Sequence, residues 1–327
     1  FHVSASFKPM SKGRSAPIRI EITDSAGCIP ASSTIGIISK MKKENLELPV
    51  ISYTPASGLR SPLRMLRQMF KDLRNARELA WRLAVRDISA TYRQSLFGIL
   101  WAFLGPVISA LLFIFLNNQK ILNVGKTDIP YPVFVMFGTL LWGLFSESIN
   151  APMTAVTANM SILSKIYFPR EALILSAILK VLFNFGIKLI ILVIFFIVFG
   201  LRFTPGILLS PFAILMLMLM GIALGLLITP IGILYKDVST VLSAFMGLWF
   251  YLTPVIYPVP NTWPMSLMST WNPVSPILVG ARDLATKGII QEPGLFLLVS
   301  AATLIVLVIA WVMYRLALPI LIERMSA

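Results

Sequence analysis

Residues 173–199 read LILSAILKVLFNFGIKLIILVIFFIVF, and this stretch decides the fold class. A helix rises 1.5 Å per residue, so the run is long enough to cross the roughly 30 Å hydrocarbon core of a bilayer. Its only charged residues are Lys180 and Lys188. The stretch therefore predicts a transmembrane helix.

Similar apolar runs lie on both sides of this segment. Hydrophobic residues make up 57% of the 327 residues and charged residues 13%, whereas soluble domains hold about 45–50% and about 25%. We predict an all-α, polytopic membrane protein with six transmembrane helices. The predicted spans cover residues 97–117, 131–151, 172–200, 207–234, 239–257 and 294–316.

Lysine and arginine are distributed unevenly around these spans. If the N-terminus is inside, 21 of the 28 cations fall in inner segments, five in outer segments and two in the third span. Because positive residues concentrate in cytoplasmic segments, both termini are predicted to be cytoplasmic and the membrane to be the bacterial inner membrane. Sixteen of the cations precede the first span, where they would attract anionic lipids rather than nucleic acid.

The polar N-terminal part is predicted to contain two regions. Residues 1–60 are broken by proline and lack a helix or strand period, so we expect a mostly disordered extension, of which residues 1–40 have no function. Residues 61–96 show two amphipathic helices with arginine-rich faces, which suit the cytoplasmic interface. These helices could be plain membrane anchors or could dock a partner. Residues 97–327 form the predicted transmembrane domain.

The sequence contains few residues that could form a catalytic or metal-binding site. Cys28 and His2 are the only residues of their types, so neither an internal disulfide nor a histidine metal site is expected. Gly125, Lys126 and Thr127 resemble the end of a phosphate-binding loop, but the glycine required five positions earlier is replaced by Lys120. We predict that the chain is no enzyme and binds no cofactor, and that another chain performs any ATP hydrolysis.

Two loops have unusual composition. The outer segment 258–292 mixes aromatic residues with several prolines, which predicts short re-entrant helices that are buried in protein or line a wet cavity. The inner segment 159–171, NMSILSKIYFPRE, is a short amphipathic stretch that ends at Pro169. Such a segment could insert into a groove of a partner, or it could be an ordinary loop.

Four stretches together resemble a known family. They are residues 79–106 (LAWRLAVRDISATYRQSLFGILWAFLGP), 159–171, 235–258 (YKDVSTVLSAFMGLWFYLTPVIYP) and 272–282 (NPVSPILVGAR). The chain resembles the permease subunits of ABC-2 type exporters, in the branch that moves O-antigen, teichoic acid and related polysaccharides on lipid carriers. The likeness covers about residues 41–327, and the extension at residues 1–40 departs from it.

The resemblance implies a homodimer that pairs with two separate nucleotide-binding subunits, which hold ATP and Mg. Segment 159–171 would be the coupling helix, the turn at Lys236 and Asp237 a second contact, and residues 79–95 the interface helix. The contact residues implied are Asn159, Ser161, Ile162, Leu163, Lys165, Tyr167, Phe168, Pro169, Arg170, Glu171, Lys236 and Asp237. The interface-helix residues are Trp81, Arg82, Arg86, Asp87, Tyr92 and Arg93.

Aromatic and polar residues within the spans are candidates for a substrate path. Aromatic faces bind sugars weakly and repeatedly, but Trp and Tyr also form lipid-facing belts. The aromatic candidates are Trp101, Phe103, Trp142, Phe145, Trp249 and Tyr251. Lys180, Asn184 and Lys188 are spaced by four, so they share one helical side. We hypothesise that one lysine contacts the pyrophosphate of a lipid-linked glycan, although both lysines could instead extend to the interfaces.

Other functions remain possible at this point. An ABC-2 exporter could move a drug or a lipid instead of a glycan. An ion-coupled carrier should have acidic residues at mid-membrane, where Glu147 is the one candidate. A membrane glycosyltransferase would need paired carboxylates or histidine on its loops, and the loops contain only scattered acids.

Overall fold

The computed structural model describes most of the chain after the first 61 residues. The described residues are 62–93, 98, 100–121, 124–125, 127–163, 169–201, 204–235, 237–259, 263, 266, 269 and 271–326. Within them every regular element is helical. The helices are α1 (Pro62–Asn75), α2 (Arg77–Arg93), α3 (Leu100–Asn118), α4 (Tyr131–Ala158), α5 (Met160–Leu163), α6 (Arg170–Val198), α7 (Ser210–Leu234), α8 (Asp237–Leu252), α9 (Val274–Thr286) and α10 (Pro293–Ser326), with a 3-10 turn at Pro205–Leu208.

Four helices are long and apolar enough to cross a membrane. They are α4, α6, α7 and α10, and they correspond to four of the six predicted spans. The stretches predicted as the first and fifth spans also form apolar helices, but α8 has 16 residues and is about 24 Å long, which is short for a full crossing. The prediction of an all-helical chain is therefore confirmed for the described residues, and the four long apolar helices are consistent with a multi-pass membrane protein.

Helix α4 extends beyond the predicted span. The prediction ended at residue 151, but the helix continues to Ala158 with Pro152 inside it. Proline removes one backbone donor and yet is tolerated in membrane helices, where neighbouring groups satisfy the freed carbonyl. The longer helix places Glu147 well inside α4 rather than near its end.

Helices α4 and α7 form the centre of the bundle. Gly221 on α7 lies directly against α4, because a Cβ atom there would come within 2.5 Å of the Ser148 Cβ and 2.8 Å of the Phe145 carbonyl oxygen. Gly225, one turn later, faces the Ile149 carbonyl in the same way. Small residues four apart let two membrane helices approach closely. Helices α6 and α10 flank this pair and expose many apolar side chains.

The segment between the fifth and sixth predicted spans contains the short helix α9. Most of its side chains are buried, including Val274, Ile277, Leu278 and Ala281. It packs against α7 and α10. A helix of 13 residues cannot cross a bilayer, so burial within the protein accounts for its apolar composition.

Candidate functional site

The interface-helix and coupling segments predicted from sequence contact each other. Asn159 caps the C-terminal end of α4, and its backbone carbonyl accepts hydrogen bonds from the N–H groups of Ile162 and Leu163 in α5. The Asn159 side chain is buried, and its Oδ1 accepts a 2.6 Å hydrogen bond from Arg86 Nη2 on α2. Its Nδ2 donates to the Ala155 carbonyl at 2.8 Å. Asn159 therefore links α2 and α4 through its side chain and α5 through its backbone carbonyl.

The rest of the coupling segment is only partly described. Ser161 is exposed, Ile162 is half-buried and Leu163 is buried. Pro169 precedes α6 in an extended conformation, and Asp237 is exposed at the start of α8. The remaining predicted contact residues lie outside the described residues. They are Lys165, Tyr167, Phe168 and Lys236.

Glu171 and Arg170 have contacts within the chain that no sequence pattern indicates. Arg315 on α10 donates to Glu171 Oε1 at 2.8 Å and to Asp72 Oδ2 on α1 at 2.7 Å. Arg170 Nη1 donates to the Arg315 carbonyl at 3.1 Å. We call Asp72, Glu171 and Arg315 the inner triad. It joins α1, α6 and α10. These residues are too far apart in the sequence for a local pattern to indicate the contact.

The outward face of α2 remains accessible. Trp81 is 61% exposed, and Arg82 forms an exposed pair with Glu78 at 2.7 Å. Arg93 is also exposed, whereas Asp87 is half-buried and pairs with Arg86 at 2.7 Å. An exposed tryptophan among arginines suits a membrane interface or a protein partner.

A polar network connects α2 with two membrane helices. The Tyr92 hydroxyl donates to Asn184 Oδ1 at 3.0 Å, Asn184 Nδ2 donates to Glu147, and Lys188 pairs with Glu147 at 3.0 Å. Burial, and secondarily the Glu147 charge, raise the pKa of Tyr92, so its hydroxyl remains a donor at neutral pH. The acidic residue considered for an ion-coupled carrier is thus occupied by an internal ion pair.

Lys180 shares a cavity with Glu147 of this network but, among the described residues, forms no ion pair with it. It lines a cavity of about 310 Å³ between α2, α4 and α6, together with Asp87, Glu147, Asn150 and Thr154. Within the described residues, Lys180 forms no ion pair. Of the two lysines singled out from sequence, one is paired internally and the other lines a cavity.

The aromatic candidates divide into a buried and an exposed group. Trp142 and Phe145 are buried, and their rings lie 6.2 Å and 5.4 Å from that of Trp249. Trp249 also donates to Asn272 Oδ1 at 3.1 Å, which ties α8 to the start of α9. Trp101 and Tyr251 are more than half exposed, and Phe103 is half-buried. The first group stabilises the bundle, and the second group lies on apolar outer faces.

Charged residues near α9 form a further cluster, whose members the sequence patterns indicated only as outer cations and scattered acids. Lys287 pairs with Asp128 at 2.6 Å and with Asp283 at 3.1 Å. The buried Arg282 guanidinium lies 3.8 Å from the Phe134 ring centroid and donates to the Pro254 carbonyl at 3.2 Å. Burial lowers the pKa of Arg282 to about 10, which leaves it charged at neutral pH. The adjacent and oppositely charged Arg282 and Asp283, within an otherwise apolar segment, are the sequence feature that could have indicated this cluster.

Comparison with known proteins places these features in a family. The family model described as ABC-2 type transporter matches residues 78–285. This range includes the coupling segment, α8 and all but one residue each of α2 and α9, and it covers more than half of the chain.

Curated proteins with similar sequences carry related names. The O-antigen export system permease protein RfbA of Myxococcus xanthus is 26% identical over 244 residues, which cover 73% of this chain and 92% of that protein. The Klebsiella pneumoniae protein of the same name is 24% identical over 63% of this chain and 79% of its own length. The polysialic acid transport protein KpsM of Escherichia coli is 22% identical over 71% of this chain and 91% of its own length.

Proposed function

Since the chain belongs to the ABC-2 type transporter family, we propose that it is the membrane-spanning permease of an ATP-driven exporter. It moves a lipid-linked polysaccharide, O-antigen-like in class, from cytoplasm to periplasm. It works as a homodimer with two separate nucleotide-binding subunits that hydrolyse the ATP. The names of its relatives, O-antigen export permease and polysialic acid transport protein, support the substrate class.

The observation that carries this proposal is the hydrogen bond between Arg86 and Asn159. A permease driven by a separate ATPase must transmit movement from the site where that subunit binds to its own membrane helices. The bond connects the amphipathic α2 to the junction of α4 and α5, from which the segment 159–171 extends. Movement of this segment would therefore reach α2 and the central helix α4 together.

The proposed topology has six spans and two cytoplasmic termini in the inner membrane. Helices α3 and α8 complete the set with α4, α6, α7 and α10. The distribution of lysine and arginine supports this orientation, because it places α1, α2 and segment 159–171 on the cation-rich side. Partner contacts and the interface helix then lie on one face.

The homodimer is proposed to form along α3 and α8. Both helices expose large apolar side chains in a single chain, among them Ile108 and Leu111 on α3 and Phe245 and Leu248 on α8. Trp101 and Tyr251 lie on the same two helices. A second copy placed there would cover the apolar surface and bring these aromatic rings to a shared path.

Lys180 is proposed as the residue that contacts the phosphate of the lipid carrier. Its ammonium lies in a membrane helix, lines a cavity, and has no carboxylate partner among the described residues. A cation in that position costs free energy unless it has a compensating anion. A phosphate that enters the cavity would supply this charge, because the two carboxylates in the lining, Asp87 and Glu147, are already paired with Arg86 and Lys188.

Co-purification tests the proposal. The chain extracted in detergent should bring an ATPase subunit with it, and Phe168→Asp in the coupling segment should release that subunit and stop export. Ile289→Asp, a matched change at an exposed residue near α9, should do neither. If no ATPase accompanies the chain and Phe168→Asp exports normally, the exporter proposal fails. A third outcome is that the chain binds the ATPase but its deletion leaves lipid-linked glycan at the normal level. This result would indicate an ABC-2 exporter of a drug or a lipid.

A further inference from the structure

A cavity of about 320 Å³ lies between the loop before α4, helix α9 and the start of α10. Its lining includes Asp128, Ser275, Asp283, Lys287 and Glu292. In the proposed topology it opens on the periplasmic side. None of these residues belongs to the coupling segment, the interface helix or the aromatic candidates.

Two buried polar atoms in this lining lack a partner. Ser275 is 4% exposed and Asp283 is 3% exposed. Among the described residues, neither Ser275 Oγ nor Asp283 Oδ2 makes a hydrogen bond. Buried polar groups in folded proteins are nearly always paired with protein or with bound water, so two unpaired groups on residues that line the same cavity mark a place where water or a ligand supplies the missing bonds.

Charge restricts the class of that ligand. Lys287 already bridges Asp128 and Asp283, and Arg282 is engaged by the Pro254 carbonyl and the Phe134 ring. No lysine or arginine described in the lining is therefore left to attract an anion, and Glu292 would repel one. A cation would compete with the Lys287 ammonium for the Asp128 and Asp283 carboxylates. The described part of the chain also contains no group of three histidine, cysteine, aspartate or glutamate residues that could hold a metal ion.

The remaining class is a neutral ligand rich in hydroxyl groups. A hydroxyl can donate to a carboxylate oxygen and can also exchange hydrogen bonds with a serine. Burial raises the pKa of the Asp283 carboxyl despite the nearby Lys287 and Arg282, as expected for an oxygen held away from water. The volume lies at the lower end of the roughly 300–1,000 Å³ range of small-molecule pockets, which suits one or two sugar rings.

We propose that this cavity binds one or two neutral sugar residues of the exported glycan, with Asp283 Oδ2 and Ser275 Oγ bonded to sugar hydroxyls. The proposal rests on the proposed function, since it takes the ligand from the exported chain. It adds a saccharide subsite on the α9 segment, separate from the membrane spans.

Photo-crosslinking in cells tests the subsite with the native glycan. p-Benzoylphenylalanine replaces Ile290, which lines the cavity, and in a second variant replaces Leu208, which is 81% exposed and lies outside it. After irradiation the purified chain is oxidised with periodate and probed for sugar with a biotin hydrazide. We expect a saccharide adduct at position 290 and none at position 208.

Side-chain changes then connect the adduct to the unpaired atoms. Asp283→Asn and Ser275→Ala should each lower the adduct at position 290 by about tenfold, because each removes a hydrogen bond to the sugar. Ser300→Ala is the matched control, since Ser300 Oγ is also buried and without a partner in the described part but lies outside the cavity. Its adduct should equal that of the parent.

Each other result overturns a specific claim. Normal export without an adduct at position 290, equal adducts at positions 290 and 208, or an adduct that persists in both Asp283→Asn and Ser275→Ala would overturn the subsite alone. If deletion of the chain leaves glycan export intact, the proposed function fails and the subsite with it. Membrane abundance of every variant is measured in parallel, and Ser275→Ala, the smaller change, decides the result if Asp283→Asn does not accumulate.

Discussion

At the scale of single residues, Arg86 joins two segments that are 73 positions apart in the sequence. Its guanidinium holds Asp87 on its own helix and the buried Asn159 at the end of α4. Nη2 contacts both Asp87 Oδ1 and Asn159 Oδ1, and Nε makes a second contact with Asp87. The rigid guanidinium orients these bonds together, whereas a lysine ammonium lies on a flexible stem, so we expect the contact to depend on arginine rather than on positive charge alone.

Arg86→Ala should lower export by at least about tenfold, since a hydrogen bond between a charged donor and a buried amide is worth roughly 1.5–3 kcal/mol and each 1.4 kcal/mol is a factor of about ten. Arg86→Lys should restore less than half of the loss. Export of surface glycan, normalised to membrane abundance of the chain, measures the effect. Arg77→Ala, at an exposed position of the same helix, is the control. Full activity of Arg86→Ala would contradict the coupling role.

The two lysines of α6 should respond differently to the same change. Lys180→Gln should abolish export with little effect on thermal stability, because Lys180 has no ion pair in the described part of the chain. Lys188→Gln should lower the melting temperature in detergent, because Glu147 loses its cation. Normal export by the Lys180→Gln, Lys188→Gln double variant would refute the phosphate hypothesis.

Asp283 should give the folded chain a distinctive pH dependence. Burial raises its pKa in the folded state above the unfolded value of about 3.9. The folded state then holds the proton more tightly, so this residue lowers stability as pH rises from about 4 through the folded pKa. Asp283→Asn should therefore melt at a higher temperature than the parent at pH 7, and the difference should shrink towards pH 4. A constant difference across this range would contradict the assignment.

At the scale of helices, the inner triad fastens the amphipathic α1 to the bundle. Glu171 on α6 is buried, Arg315 on α10 is mostly buried, and Asp72 on α1 is more exposed. Phe70 adds an edge-to-face contact with Trp311 at 5.4 Å. Helix α1 thus contacts the protein's own bundle through Asp72 and Phe70. Whether it also serves as a membrane anchor or docks a partner stays a prediction.

Arg315→Gln should destabilise the chain by about 3 kcal/mol, since it leaves a buried carboxylate without a cation. The melting temperature in detergent should fall by about 6–12 °C. The Glu171→Gln, Arg315→Gln double variant should recover part of this loss. Asp72→Asn should cost about 1 kcal/mol or less, because its carboxylate is partly exposed. Equal losses for Asp72→Asn and Arg315→Gln would show that burial does not set the energy.

At the scale of the whole molecule, the apolar faces of α3 and α8 should be covered by a second copy. With Cys28→Ser as background, cysteines at Ile108 and Leu248 should cross-link two chains in membranes. A cysteine at Leu298, an exposed position of α10, should not. Cross-linking at Leu298 alone would place the dimer interface elsewhere.

Sequence patterns predicted the helical bundle better than the contacts within it. Hydropathy indicated the spans, and the motif at residues 79–106 indicated the helix that carries Arg86. The span that contains Glu147 was predicted to stop at residue 151, so the residue was placed near an end, and its pairing with Lys188 was missed. Arg315 and Asp72 gave no signal, because a pair separated by 243 positions leaves no local periodicity. The burial of Trp142 and Phe145 depends on contacts with Trp249 on α8, so the local sequence could not predict it either.

The same separation of 243 positions has a consequence for biosynthesis. At about 5–20 residues per second, a ribosome reaches Arg315 roughly 12–50 s after it has made Asp72. During that interval the nascent α1 cannot form its contacts with Arg315 and Trp311, and the Glu171 carboxylate cannot pair with Arg315. The helix near the beginning of the described chain is thus among the last to be fixed in place, and insertion of α10 completes the assembly.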